Sequence, residues 1–218
     1  MAISLAGLKT RLGHLPRAQR ISLVALLALV LLANIDQPFP EVAPLHHIPT
    51  LALILSAPRW LRRRPLSDAA LFCLVGFFAL HSFGARWTYS SVPYDDWAMA
   101  LSGITISDIF GWSRNHYDRL VHLAYGALLM LPLSQWLRPL FGPSRGVLLT
   151  MAVILLLASS AAYELFEWLL TLFMAPGTAE AYNGQQGDIW DAHKDMALAL
   201  AGSLGAALWI GRKVSATT

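Results

Sequence analysis

The sequence predicts an all-α fold: a polytopic membrane helix bundle of about six transmembrane helices plus an interfacial helical segment. Three observations predict it. Hydrophobic residues make up 56% of the chain and charged residues only 13%, far from the balance of a soluble domain. Apolar runs of bilayer-spanning length alternate with short basic or Pro/Gly-rich connections. When the chain is threaded back and forth, those basic connections fall on one side.

Residues 1–20 carry Lys9, Arg11, Arg17 and Arg20 and no acid, as a basic cytoplasmic tail would. No cleavage signal follows the first apolar run, 21–35, so it is expected to be a retained helix. Pro38, Pro40 and Pro44 mark a turn. A second span, 45–57, opens on His46 and His47 and holds Pro49, which predicts a kink near its start. Residues 58–65 hold Arg59, Arg62, Arg63 and Arg64 and form a connection. A third span covers 68–83, with Ser67 or Asp68 as N-cap. Residues 84–117 are rich in aromatic side chains, among them Trp87, Tyr89, Tyr94, Trp97, Phe110 and Trp112. An interfacial helix or helical hairpin is expected there near 95–110, on the outer side. Spans four, five and six cover 117–137, 146–174 and 188–210. A Pro/Gly turn and a polar loop at 175–187 separate them. The whole chain, 1–218, reads as a single integral membrane domain.

With the N-terminus inside, twelve of the sixteen Lys and Arg residues lie at inner ends. The positive-inside rule therefore predicts a multi-pass protein of the bacterial inner membrane with both termini cytoplasmic. The net charge of +3 is spread over these topology signals, which excludes a nucleic-acid partner; the expected partner is membrane lipid. The single cysteine, Cys73, lies in an apolar run and reads as a packing residue.

Polar side chains inside apolar spans are costly and mark candidate sites. Glu164 and Glu167 share a face of span five with Ser160 and Thr171. Asp118 and His122 stand one turn apart on span four, on the face of Tyr125. Asp188, Asp191 and Asp195 form a third stripe at the start of span six, while His193 faces elsewhere. Hard carboxylate oxygens with an imidazole suit a divalent metal: Zn, Mn, Mg or Ca. The candidate ligands are Asp118, His122, Glu164, Glu167, Asp188, Asp191 and Asp195. The candidate catalytic acids and bases are Glu164, Glu167 and Asp191. All seven are expected to line one cavity near the outer face. Arg114 and Arg119 flank it and could balance the acids or hold a phosphate or carboxylate. No nucleotide-binding loop or nucleophile elbow is present, and no other cofactor is expected.

Three motifs carry a family resemblance. They are the run 115–122 (NHYDRLVH), the run 163–168 (YELFEW) and the run 182–191 (YNGQQGDIWD) with Lys194, Asp195 and Met196. Together they resemble the YjdF-like family of bacterial inner-membrane proteins, catalogued as a domain of unknown function. That resemblance implies location and topology, not chemistry. Asp118, His122, the span-five glutamate and the Asp-rich start of span six followed by Gly202 look, more loosely, like the VanZ-like membrane proteins, which are linked with glycopeptide resistance. Three functions fit these residues: a metal-assisted enzyme acting on a lipid or lipid-linked substrate, an ion- or proton-coupled transporter or binding protein, and a structural subunit without catalysis.

Overall fold

The protein is described from a computed structural model covering residues 13–215, and every regular element among the described residues is helical. The helices are α1 (Arg17–Ala33), α2 (Ala43–His46), α3 (Ile48–Arg63), α4 (Asp68–Ala85), α5 (Tyr94–Ser102), α6 (Ile106–Phe110), α7 (Tyr117–Phe141), α8 (Arg145–Phe173), α9 (Pro176–Asn183) and α10 (Asp191–Ser215). Most of the basic tail, residues 1–12, lies outside the described residues. Three helices, α4, α7 and α8, are long and apolar enough to cross a membrane by length and composition. Helix α8 carries Leu165, Trp168, Leu172 and Phe173 exposed on its outer surface. A soluble protein would hide such a surface; in a bilayer, acyl chains cover it.

Helix α7 is the hub, packing against α10, α4 and α8. Its contact with α10 is backbone to backbone. A Cβ at Gly126 would lie 1.9 Å from the Ala199 carbonyl oxygen, and one at Gly202 would lie 2.2 Å from that of Leu123. Only glycine allows this approach, in the manner of small-residue packing between membrane helices. Met130, Leu137, Leu148, Ala152 and Leu156 fill the seam between α7 and α8. A second core joins α1, α3 and α4 through Leu23, Ala57, Leu61 and Leu71. The buried Gln19 side chain fastens α1 to the α3–α4 turn, donating to Leu66 O and Asp68 Oδ1. Arg86, just past α4, donates to the carbonyls of Ala33, Ile35 and Asp36 and so satisfies the open end of α1.

Several boundaries differ from the sequence expectation. Helix α3 begins at Ile48, so Pro49 falls in its first turn, where no backbone bond is lost and no kink is needed. The same helix runs through Pro58 to Arg63, because Ala57 and Leu61 are buried against α4. The polar stretch 175–187 contains α9, which starts on Pro176 and ends on Gly184 at φ 69°. Ser67, rather than Asp68, caps α4 by accepting from the Ala70 amide. Around the expected interfacial segment the chain forms two short helices, α5 and α6, neither with a buried residue. Trp97, Leu101, Ile109 and Phe110 are exposed on them, and Asp95 ties them together by accepting from the Ser107 amide and hydroxyl.

Candidate functional site

The start of α7, the start of α10 and the second half of α8 meet at one end of the bundle, because the close contacts at Gly126 and Gly202 hold α7 and α10 together two to three turns further along. Two polar assemblies form there.

The first is an arginine–aspartate network. Arg119, nine-tenths buried, approaches Asp188 at 3.0 Å, Asp191 at 2.6 Å and Asp195 at 2.5 Å. Arg114 pairs with Asp118 and Asp191 and donates to the backbone oxygen of Gln185. Two fixed guanidinium forks thereby offset much of the charge of the aspartates that line up at the start of α10. Lys194 adds a bond to Asp188 at 2.7 Å. That bond, with smaller help from the Trp190 amide and Arg119, holds the Asp188 carboxyl down to about 2. The loop above is stapled on as well: Gln186 accepts from the Asn115 amide at 2.9 Å and donates back to the Asn115 carbonyl at 3.1 Å.

The second assembly is a triad of His122, Glu164 and Asp195, one residue from each of α7, α8 and α10, whose ligating atoms lie within 4.8 Å of one another. His122 Nδ1 is 3.9 Å from Glu164 Oε1, and its Nε2 is 3.7 Å from Asp195 Oδ2. These spacings exceed a hydrogen bond. Glu164 is 7% exposed, and its Oε1 has no hydrogen-bond partner. Asp195 Oδ1 has the charge of Arg119 beside it but no aligned donor. A buried carboxylate oxygen without a donor is costly unless a cation or water completes it. Asp118, Asp191 and Asp195 form a second close set, but its positive charge is already supplied by the two arginines.

A cavity of about 240 Å³ opens beside the triad. Its polar wall holds Asp118, His122, Asp195 and Glu167; its other walls include Phe77, Phe78, Tyr125 and Tyr163. Of the seven sequence-expected ligands, these four line the cavity. Glu164 completes the triad behind it, and Asp188 and Asp191 are engaged by the arginines. Glu164 and Glu167 therefore face different neighbours, because a separation of three residues leaves about 60° between them around a helix. His193 is exposed and packs on Trp190.

Sequence reasoning did not place Tyr89, Tyr182 and Asn183 in the site, yet all three line the cavity. Tyr89 arrives through two successive non-glycine residues in the left-handed region, Thr88 at φ 48° and Tyr89 at φ 59°. Nothing in the local sequence announces that conformation.

Comparison with known proteins agrees with this architecture. The family described as Predicted membrane protein (DUF2238) matches residues 18–215. The Inner membrane protein YjdF of Escherichia coli (strain K12) is 33% identical over 174 residues, which is 79% of this chain and 76% of that protein. No solved structure matches. These matches lend no support to the looser VanZ-like likeness. The motifs around Asp118, Glu164 and Asp191 all fall inside the matched region, and the chain belongs to the DUF2238 family of predicted membrane proteins.

Proposed function

We propose that this protein is a multi-pass inner-membrane enzyme acting on a lipid or lipid-linked head group, with a divalent cation held by His122, Glu164 and Asp195. One observation carries the proposal: a half-buried imidazole and two buried carboxylates from three separate helices converge on a cavity, leaving Glu164 Oε1 without a partner. Mixed nitrogen and oxygen donors suit Zn or Mn. When bound, such a cation would polarise a phosphoryl or carbonyl oxygen in the cavity or acidify a water. Arg119 then orients the Asp195 carboxylate from the side away from the cation. Asp118, Asp188 and Asp191 anchor the arginine network, and Glu167, hydrogen-bonded to Tyr163, supplies a carboxyl group on the cavity wall. With both termini cytoplasmic, this end of the bundle faces outward.

The test is metal content of the purified full chain after equilibration with Zn or Mn. The expected result is about one ion per chain for the wild type, lost in Glu164→Ala and kept in Asp188→Asn. A wild type that holds no ion, or a Glu164→Ala variant that holds as much, overturns the proposal.

A further inference from the structure

The cavity wall shared with Glu167 carries hydroxyl donors, among them Tyr163, and two side-chain oxygens, of Asn183 and Tyr89, that act as acceptors. Among the described residues, the ion pairs of this end of the bundle go to Asp118, Asp188, Asp191, Asp195 and Glu164, and none reaches Glu167. Asn183 is 8% exposed; its Nδ2 donates to the Glu167 backbone oxygen at 2.9 Å, which fixes the amide and leaves Oδ1 buried without a partner. The Tyr89 hydroxyl is committed in the same sense. His81 Nε2 meets the His46 carbonyl at 2.7 Å, and a carbonyl only accepts, so Nε2 carries the hydrogen. In the neutral ring Nδ1 is then the acceptor, and the Tyr89 hydroxyl, 2.7 Å away, donates to it. The phenol oxygen is left with lone pairs only. Tyr89, Tyr163 and Tyr182 line the same cavity as Glu167, and the Tyr163 hydroxyl donates to the Glu167 carboxyl group. Tyr182 is itself held by His46, stacked at 4.2 Å, and His46 meets Tyr89 edge-on at 5.1 Å.

We propose that Glu167, Tyr89, Tyr163, Tyr182 and Asn183 form a cage for the primary ammonium group of a membrane lipid's head. An ammonium brings three donors and one positive charge. The cage offers a carboxylate, two further acceptors and three tyrosine rings whose faces attract a cation. Asn183 and Tyr89 would meet only methyl groups on a trimethylammonium, so the cage selects the amine. The occupant is a lipid because α4 and α8 both line the cavity without a packed interface between them. Phe77, Phe78 and Val121 give the cavity an apolar wall, which suits an acyl chain. The cage rests on the reading of this cavity as a head-group site. It deepens that reading by naming the substrate class: a zwitterionic lipid with its phosphate at the His122–Glu164–Asp195 triad and its amine at Glu167.

The test uses the purified full chain in dodecyl maltoside and native mass spectrometry. It compares lysophosphatidylethanolamine with lysophosphatidylcholine of the same chain, which differ only in the methyl groups on nitrogen. The wild type is expected to bind the ethanolamine lipid at least about tenfold more tightly, the worth of a charge-assisted hydrogen bond. Glu167→Gln should abolish that preference and Tyr89→Phe should reduce it, with the melting temperature of each variant checked separately. Asn183→Asp should keep it. Equal binding of the two lipids by the wild type, or a preference that survives Glu167→Gln, overturns the cage. Free ethanolamine competing as well as the lipid overturns the lipid source. Metal content measured on the same samples separates the two proposals. Equal lipid binding with metal retained removes the cage alone, whereas a lipid preference without metal removes the metal site alone.

Discussion

Replacing Gly126 by alanine adds one methyl group where α7 and α10 touch. Its carbon would lie 1.9 Å from the Ala199 oxygen and 2.7 Å from the Ser203 nitrogen. Carbon–oxygen contacts settle near about 3.3 Å, so the two backbones must part by about 1.4 Å. No flexible side chain can absorb the shift, because both opposing atoms are main chain. His122 sits one turn before Gly126, and Asp195 one turn before Ala199. The 3.7 Å separation of His122 and Asp195 would therefore open to roughly 5 Å, beyond what one cation can bridge. Overpacking of this kind costs about 3 kcal/mol. Gly205 is the control: it lies on α10, and an added Cβ meets nothing within 4 Å. Gly205→Ala should leave stability unchanged or raise it by up to about 1 kcal/mol, the helix preference of alanine over glycine. The assay is equilibrium unfolding of both variants in mixed detergent, with metal content measured alongside. Gly126→Ala unfolding together with Gly205→Ala, with full metal occupancy, would refute the close α7–α10 contact as the device that assembles the site.

Three further outcomes follow from the charge network and the topology. Arg119→Met leaves Asp188, Asp191 and Asp195 short of a shared cation and should cost about 3–5 kcal/mol in the same unfolding assay, whereas Lys194→Met, on an exposed side chain, should cost far less. Asp188 titrates near 2 when folded, below its ordinary 3.8, so its bond to Lys194 stabilises above that ordinary value and is lost as pH falls through about 2. The difference in melting temperature between wild type and Lys194→Met should accordingly be flat from about pH 7 to pH 5 and shrink only in more acidic solution. The positive-inside rule predicts both termini in the cytoplasm, so Glu180→Cys in a Cys73→Ser background should react with an impermeant thiol reagent in intact cells; reaction only after lysis would reverse the orientation.

The helices and their polar stripes were legible because both signals are periodic and local. Asp118 with His122, Glu164 with Glu167, and Asp188, Asp191 and Asp195 each announced themselves as ionisable groups on otherwise apolar faces. How the stripes divide among themselves was not legible. Glu164 turns toward His122 and Asp195 while Glu167 turns into the cavity, and that depends on the rotation of α8 against its neighbours rather than on spacing. The arginines flagged as flanking residues take up most of the aspartate charge, an outcome set by a link of 72 residues between Arg119 and Asp191. Tyr89 was invisible for another reason: it is placed by two left-handed residues that no glycine marks. Helix α9 was hidden because 175–187 is polar and short, and its start rests on Pro176 rather than on a side-chain cap.

The arginine–aspartate network also has a place in time. The ribosome releases α7 before α10, and the 72 residues between Arg119 and Asp191 take roughly 4–14 seconds at ordinary synthesis rates. Throughout that interval Arg119 has none of its three aspartates, and a bare guanidinium cannot settle into the bilayer core. The nascent end of α7 must therefore wait at the water-exposed rim, or in the care of the insertion machinery, until α10 docks. Docking of α10 gives Arg119 its three aspartate partners and so completes the charge pairing at this end of the bundle. A chain cut short before Asp188 would keep its apolar spans but leave Arg119 without those three partners.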